Sequence, residues 1–318
     1  MRSNGNRKVK VSLIQQGPAT DSKEDTVKAL LEKIDEVAVN EHPDFLMPTE
    51  LSTTQYFPAC LDQRYFDWAE LIPGPSTELF AKKAKQYEMC LILPLYEKAT
   101  IESVYYNSAV VIGPDGKIVE GVMPDGTKVL RHSKNHIPYM PSIPDRYNER
   151  FYFKEGPGFP VFNTPKAKIG IVICFERRFP ESFRMVALQG AEIAFVPVCS
   201  FVLPPKPGDY VLAPGSGGAS AEEMYTPELR TRALENCMWV CNANRVGVEE
   251  VQGQKTRFYG LSSIIHPSGK VVIQASSTQP EVISYEIDLE ENSRVRHSLP
   301  TFRLRRPEIY TLIDKHMI

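Results

Sequence analysis

The chain has 318 residues, 42% hydrophobic and 24% charged, with 37 Lys and Arg against 39 Asp and Glu, for a net charge of −2. That balance offers nothing to a nucleic acid or an acidic membrane surface, and neither is an expected partner. The length suits one large α/β domain, and no apolar stretch approaches the roughly 18–20 residues that a membrane span needs.

Residues 1–8 are polar and basic without the apolar core of a signal peptide, and read as a disordered lead-in. Residues 9–14 predict a strand. Residues 26–39 carry Val27, Leu30, Leu31, Ile34 and Val37 at helical spacing. Residues 44–48 predict a buried strand that runs into Pro48-Thr49-Glu50. Residues 76–87 predict a helix capped by Ser76, and residues 90–95 a third strand. Residues 108–112 and 117–120 flank Gly113-Pro114-Asp115-Gly116 and predict a hairpin. A polar loop follows, Arg131-His132-Ser133-Lys134-Asn135-His136-Ile137-Pro138, with a lysine at its centre.

The second half repeats the plan. Residues 169–174 predict a strand that delivers Cys174 to its carboxyl end, the edge where open α/β sheets bind ligands. A helix over 181–189 and a strand over 193–198 follow. Residues 203–220 form a long loop rich in Pro and Gly, of a length that is usually functional or disordered. Pro227 marks the first turn of a helix running to Cys237. A strand over 239–242 and a second hairpin around Pro267-Ser268-Gly269 complete the half. Pro114 and Pro267, Gly116 and Gly269, and Lys117 and Lys270 fall at one constant offset, which marks the repeat. Two halves, each a sheet with two helices, are covered most economically as a four-layer α-β-β-α sandwich.

Four of the six cysteines (Cys90, Cys174, Cys199 and Cys241) lie in or beside apolar strand-like segments, and no CxxC occurs. This is neither a disulfide framework nor a zinc site, so a reducing cytoplasm is the expected compartment. The six histidines lack metal-ligand spacing. Cys174 is followed by Phe175-Glu176-Arg177-Arg178-Phe179-Pro180-Glu181. Two guanidiniums and a helix start beside the thiol favour the thiolate, its reactive form.

Glu50, Lys134 and Cys174, in this order and in these settings, resemble the nitrilase (carbon–nitrogen hydrolase) superfamily. The matching pieces are Pro48-Thr49-Glu50, Lys134-Asn135-His136-Ile137-Pro138, Ile173-Cys174-Phe175-Glu176 with Pro180-Glu181, and Tyr259-Gly260-Leu261-Ser262, over roughly residues 8–290. The resemblance implies the same sandwich fold over a single domain, residues 9–290, and a Glu-Lys-Cys triad that needs no cofactor or metal. Cys174 is then the nucleophile and Glu50 the base that also serves the leaving amine. Lys134 and the main-chain N–H of Phe175 are the oxyanion donors. Glu149, just before Arg150-Phe151-Tyr152-Phe153, is the expected partner of Lys134, and His136 a contact to substrate or a brace of its loop.

Cys174-Phe175-Glu176-Arg177-Arg178-Phe179-Pro180-Glu181 looks like the Cys-x-Asp-Arg-Arg-x-Pro-Glu segment of N-carbamoyl-D-amino-acid hydrolases. Val246-Gly247-Val248-Glu249-Glu250 and the arginine-rich tail are similar to that branch too. Phe175, Glu176 and the lack of histidines before Glu149 depart from it. Arg177 or Arg178 is expected to clamp a substrate carboxylate, the other to pair with Glu176 or Glu181. The expected reaction is hydrolysis of an N-carbamoyl amino acid. An amidase, a nitrilase, transfer to an acceptor other than water and an inactive scaffold are the alternatives. Phe179, Phe183 and Met185 are expected to give the nucleophile's helix an apolar surface for a homodimer or a larger even assembly. The tail over 291–318, with Ile309, Leu312 and Ile313, is expected either on a partner subunit or against its own.

Overall fold

The structure is a computed structural model and describes residues 7–139, 146–202 and 221–315. Most of the N-terminal lead-in and all of the 203–220 loop lie outside the described residues.

Two sheets form the centre. The first runs, edge to edge, Glu281–Asp288, Lys8–Gln15, Phe45–Met47, Cys90–Lys98, Tyr105–Ile112 and His132–Ser133. The second runs Val271–Gln274, Ser263–Ile265, Trp239–Asn244, Ile193–Val198, Lys168–Ile171, Val161–Asn163, Gly121–Val122 and Lys128–Val129. Each holds three parallel strands. Phe45–Met47 pairs in parallel with Lys8–Gln15 and Cys90–Lys98, as Ile193–Val198 does with Lys168–Ile171 and Trp239–Asn244. The repeat read from the two hairpins is therefore a repeat of strand plan.

Alternation along the strands sets the layers. Val9, Val11, Leu13, Phe45 and Met47 share one core with Ile169, Ile171, Ile193 and Phe195 of the other sheet, and the Phe45 and Phe195 rings meet at 5.6 Å. Ile14, Leu46, Leu91, Leu93, Val110 and Ile112 point the other way. They pack on Leu30, Ile34 and Val37 of helix α1 (Lys23–Glu41) and Phe80 and Ala84 of α2 (Pro75–Gln86). Phe183 and Val186 of α3 (Pro180–Leu188), with Leu229 and Ala233 of α4 (Ala221–Asn236), cover the second sheet. The result is the four-layer sandwich. Gly170 lets α3 sit close: a Cβ there would lie 2.6 Å from Val186 Cβ.

Several boundaries differ from the sequence reading. The first strand already includes Lys8. Gly74, not Ser76, caps α2, with Pro75 in the first turn; the Ser76 N–H and hydroxyl both donate to Glu70 at 2.7 Å. Pro227 lies inside α4, which already runs from Ala221. The return strand of the first hairpin shrinks to one bridge, Ile112 with Ile118, although its turn closes through Gly113 N–H and Lys117 O at 2.8 Å. The strand expected to reach Cys174 stops at Ile171. The hairpin Val246–Val251 with Gln254–Tyr259 was not foreseen; Gln252 and Gly253 both take positive φ at its tip, as a two-residue turn of matching twist requires.

Phe183 is core, leaving Met185 exposed and Phe179 half-buried on the surface expected to meet a partner. Ile309, Leu312 and Ile313 are 58%, 80% and 64% exposed, so that stripe does not pack on its own subunit. Among the described residues no helix is long and apolar enough to cross a membrane, and no three His, Cys, Asp or Glu side chains are grouped to hold a metal ion.

Candidate active site

Glu50 follows the strand Phe45–Met47 in a turn where Leu51 takes a φ of +46°. The turn is held from two sides. Gln16 Oε1 accepts from Thr49 N–H at 3.1 Å and from its hydroxyl at 2.7 Å, while Gln16 Nε2 donates to Ser52 O. Arg245, wholly buried, pairs with Glu249 at 2.7 Å and donates to the carbonyls of Leu51 and Thr54 at 3.2 and 3.0 Å. The Glu50 carboxylate accepts from Asn107 Nδ2 at 2.7 Å, Lys134 Nζ at 2.8 Å and Cys199 N–H at 2.8 Å.

Lys134 is delivered by the short edge strand His132–Ser133. Its N–H donates to Asn107 O at 2.8 Å and its carbonyl accepts from Gly156 N–H at 2.9 Å. Only glycine fits there, since a Cβ on Gly156 would stand 2.1 Å from Ser133 O. Lys134 Nζ bridges Glu50 and, at 2.7 Å, Glu149, and all three side chains are buried. Glu149 opens the 3-10 turn Glu149–Phe151 and also accepts from the Tyr56 hydroxyl at 2.9 Å. An ammonium has three donors. Two are used by these carboxylates, which leaves one for an incoming oxygen.

Cys174 opens the 3-10 turn Cys174–Arg178 with a φ of +47°, an uncommon conformation for a residue with a Cβ. Its sulfur lies 3.9 Å from Ser200 Oγ. Ser200 is placed in turn: its N–H donates to Asn244 Oδ1 at 2.8 Å, and Asn244 N–H donates to Ser262 Oγ at 2.9 Å. This is how the Tyr259-Gly260-Leu261-Ser262 piece bears on the sulfur. Glu176 points inward and clips two loops together. It accepts from Ile173 N–H at 2.6 Å, His132 Nε2 at 2.8 Å, Asn135 N–H at 2.7 Å and Asn135 Nδ2 at 2.9 Å.

Burial opposes the charge on Lys134, but Glu149 and Glu50 outweigh it and hold its pKa above the ordinary lysine value. Burial pushes the Glu149 carboxyl up, with Lys134 opposing and Glu50 adding. Burial pushes the Cys174 thiol up to about 12; Glu50 adds to the rise, and Lys134 and Arg177 oppose it. This direction favours the neutral thiol at rest, against the expectation of a thiolate. The cations beside the sulfur count for less than its desolvation and the carboxylates brought from other strands.

The Phe175 N–H stands at the second position of the 3-10 turn, where helix-start donors lack an intrahelical acceptor. Its ring packs edge-on against Phe179 at 5.6 Å. His136 stacks on Phe179 at 3.8 Å and 13°, which braces the lysine loop. Arg177 is buried; its Nη1 donates to Cys174 O at 3.0 Å and its guanidinium lies 5.0 Å over the Tyr225 ring. Neither arginine pairs with Glu176 or Glu181. Both meet Glu228 of α4, at 3.2 Å from Arg177 Nε and 3.5 Å from Arg178 Nη1. Glu228, Asn107, Tyr56, Ser200 and Arg245 were not foreseen. They come from distant segments and carry no local signal of their role.

A thiol, a carboxylate, a bridging ammonium and a turn N–H in one buried site can attack a carbonyl carbon and stabilise the oxyanion formed. The family model described as carbon–nitrogen hydrolase matches residues 10–297. The chain is 32% identical over 314 residues to the N-carbamoylputrescine amidase of Oryza sativa subsp. japonica, covering 96% of this chain and 94% of that one. It is 30% identical over 304 residues to the citrullinase of Francisella tularensis subsp. tularensis, covering 95% and 96%. Among solved structures, the carbon–nitrogen hydrolase of Helicobacter pylori G27 matches with a TM-score of 0.82 at 27% identity, over 98% of this chain and 100% of that one. The chain belongs to the carbon–nitrogen hydrolase family, the nitrilase superfamily, and is a hydrolase of carbon–nitrogen bonds other than peptide bonds.

Proposed function

We propose that this enzyme hydrolyses the carbamoyl group of an N-carbamoyl amino compound, an N-carbamoyl amino acid or amine, to the free amine, CO2 and ammonia. The observation that carries the reading is Lys134 Nζ held between Glu50 and Glu149, with both Lys134 and Glu50 acting on the charge of the buried Cys174. The two curated relatives support the carbamoyl group, since N-carbamoylputrescine and citrulline both end in a ureido function.

The thiol proton of Cys174 passes to Glu50 as the sulfur attacks the carbamoyl carbon. The oxyanion takes the third N–H of Lys134 and the N–H of Phe175, in a buried site where such donors act strongly. Glu50 returns the proton to the leaving nitrogen, the C–N bond breaks, and the amine departs from an S-carbamoyl cysteine. Glu50 then deprotonates water, which attacks the same carbon and restores the thiol. The carbamic acid released falls to CO2 and ammonia. In sum, R–NH–CO–NH2 and H2O give R–NH2, CO2 and NH3. Glu149 keeps Lys134 in place throughout.

The test is a panel of ureido compounds, matched amides and matched nitriles, followed by ammonia and CO2 release. Ureido compounds should show the highest kcat/KM, and acid-quenched enzyme should carry one carbamoyl group on Cys174 by mass spectrometry. Faster turnover of the amide or the nitrile, with no CO2 from any ureido compound, overturns the reading.

A further inference from the structure

Arg177 and Arg178 stand next to the nucleophile, and a guanidinium pair in that place suits a substrate carboxylate. The pair already has one. Glu228 Oε2 lies 3.2 Å from Arg177 Nε and 3.5 Å from Arg178 Nη1. The Glu228 side chain is 11% exposed, and that of Arg177 4%. Arg177 spends Nη1 on the Cys174 carbonyl and its face on Tyr225. The same helix fixes the backbone of the pair. Arg232, one turn after Glu228 on α4, donates from Nε to Arg177 O at 3.0 Å and from Nη2 to Arg178 O at 3.3 Å. Glu228 Oε2 and Arg177 Nε are both buried without an aligned hydrogen bond, so opposite charge, more than hydrogen-bond geometry, holds them together.

A substrate acid reaching Arg177 would have to displace Glu228 or be buried beside it, and one reaching Arg178, whose side chain is 30% exposed, would still lie next to the same carboxylate. Like charges in a site of low dielectric repel strongly. We infer that Glu228 closes the Arg177–Arg178 pair to substrate carboxylates, and so selects ureido substrates that carry no acid group on the carbon bearing the scissile nitrogen. Within the reading proposed above, on which this inference rests, the substrate is an ω-ureido amine or ω-ureido amino acid, whose charged end lies away from the reacting bond.

The measurement is the ratio of kcat/KM for an α-ureido acid to that for its carboxamide. In the wild type the carboxamide should be the better substrate. In Glu228→Gln the ratio should shift towards the acid by about ten- to a hundred-fold, the usual worth of a buried charge-assisted contact. A wild type that prefers the acid, or a variant that leaves the ratio within twofold, overturns the inference. Arg178→Met gives a second arm that does not depend on Glu228→Gln folding. It should leave the wild-type ratio within twofold, and a tenfold fall would mean that Arg178 already holds the acid. The same ratios measured with N-acetylglycine and N-acetylglycinamide, read as release of glycine or glycinamide, keep the acid on the carbon bearing the scissile nitrogen and separate the two ideas. If no ureido compound reacts, the proposed function fails, while the amide pair still decides the role of Glu228.

Discussion

Replacing Glu176 with Gln tests the clip between the nucleophile's turn and the lysine loop. The carboxylate accepts from Ile173 N–H and His132 on one oxygen and from the two Asn135 donors on the other. A glutamine keeps one oxygen and turns an NH2 towards the other two donors, so two of the four contacts are lost. Hydrogen bonds to a charged acceptor are worth about 1.5–3 kcal/mol each, which puts the cost at about 3–6 kcal/mol. That is a large share of the roughly 5–15 kcal/mol that holds a typical protein folded. Urea unfolding should show a lower midpoint with an unchanged slope. The kcat should fall by about 10², the usual result of misplacing a reacting group by ~1 Å. The pH dependence has a definite sign. Burial pushes the Glu176 carboxyl up, but His132 and the backbone donors more than reverse this, and its folded pKa lies below the ordinary value. A depressed carboxylate contributes stability above its unfolded pKa, about 4.3, and loses it as pH falls through the folded value. The gap between wild type and variant should therefore be full at neutral pH and narrow in acid. A variant with the wild-type urea midpoint, or a gap that widens as pH falls, would refute the reasoning.

Cys174→Ala and Cys174→Ser should fold normally and lose nearly all turnover; activity that survives both, checked by active-site titration, would remove Cys174 as nucleophile. Glu50→Gln and Lys134→Ala should each lower kcat by about 10²–10³, and steady-state rates above a tenth of wild type would contradict the triad. Gly156→Ala forces a Cβ to within 2.1 Å of Ser133 O, so it should cost about 1–3 kcal/mol and reduce kcat through Lys134; a thermal melt and rates equal to wild type would show that the loop has room. Met185, Leu188 and Leu234 are exposed on α3 and α4, and sedimentation at micromolar concentration should find a dimer or larger even assembly, not the monomer alone.

The ends of apolar runs were the legible part of the site. Glu50 and Cys174 each follow buried strand sequence with an abrupt polar turn, and Lys134 sits amid a polar loop between apolar segments. Such breaks are visible in one dimension because burial and exposure alternate sharply there. The partners of these residues were not visible. Arg177 and Arg178 suggested Glu176 and Glu181 as neighbours, yet the 3-10 turn sends Glu176 inward to Ile173 and His132, and α4 supplies Glu228 from fifty residues away. Arg245 steadies the turn after Glu50 from the far half of the chain, through contacts that exist only once the two sheets are stacked. The N-cap of α2 failed for a smaller reason: Pro75 prefers the first helical turn, which displaces the cap to Gly74.

The thiol shows best why a local reading falls short. Along the chain, Cys174 is followed by two arginines and a helix start, and these give the expectation of a thiolate. In space, Glu50 and Glu149 stand against Lys134, and Glu228 against Arg177 and Arg178, so carboxylates already face the cations near the sulfur. Ionising the sulfur then adds a further negative charge to a buried site, and burial pushes the thiol up to about 12. The proposed attack has to move the proton to Glu50 while the new charge forms on the substrate oxygen, next to Lys134, and not on sulfur. A resting thiol of this kind is a poor nucleophile towards simple electrophiles. It becomes reactive when a carbonyl able to take the Lys134 and Phe175 donors is in place. On the proposed mechanism, the preference for a carbonyl carbon over simple electrophiles begins with the pairing of charges around Cys174, before any contact to the rest of the substrate.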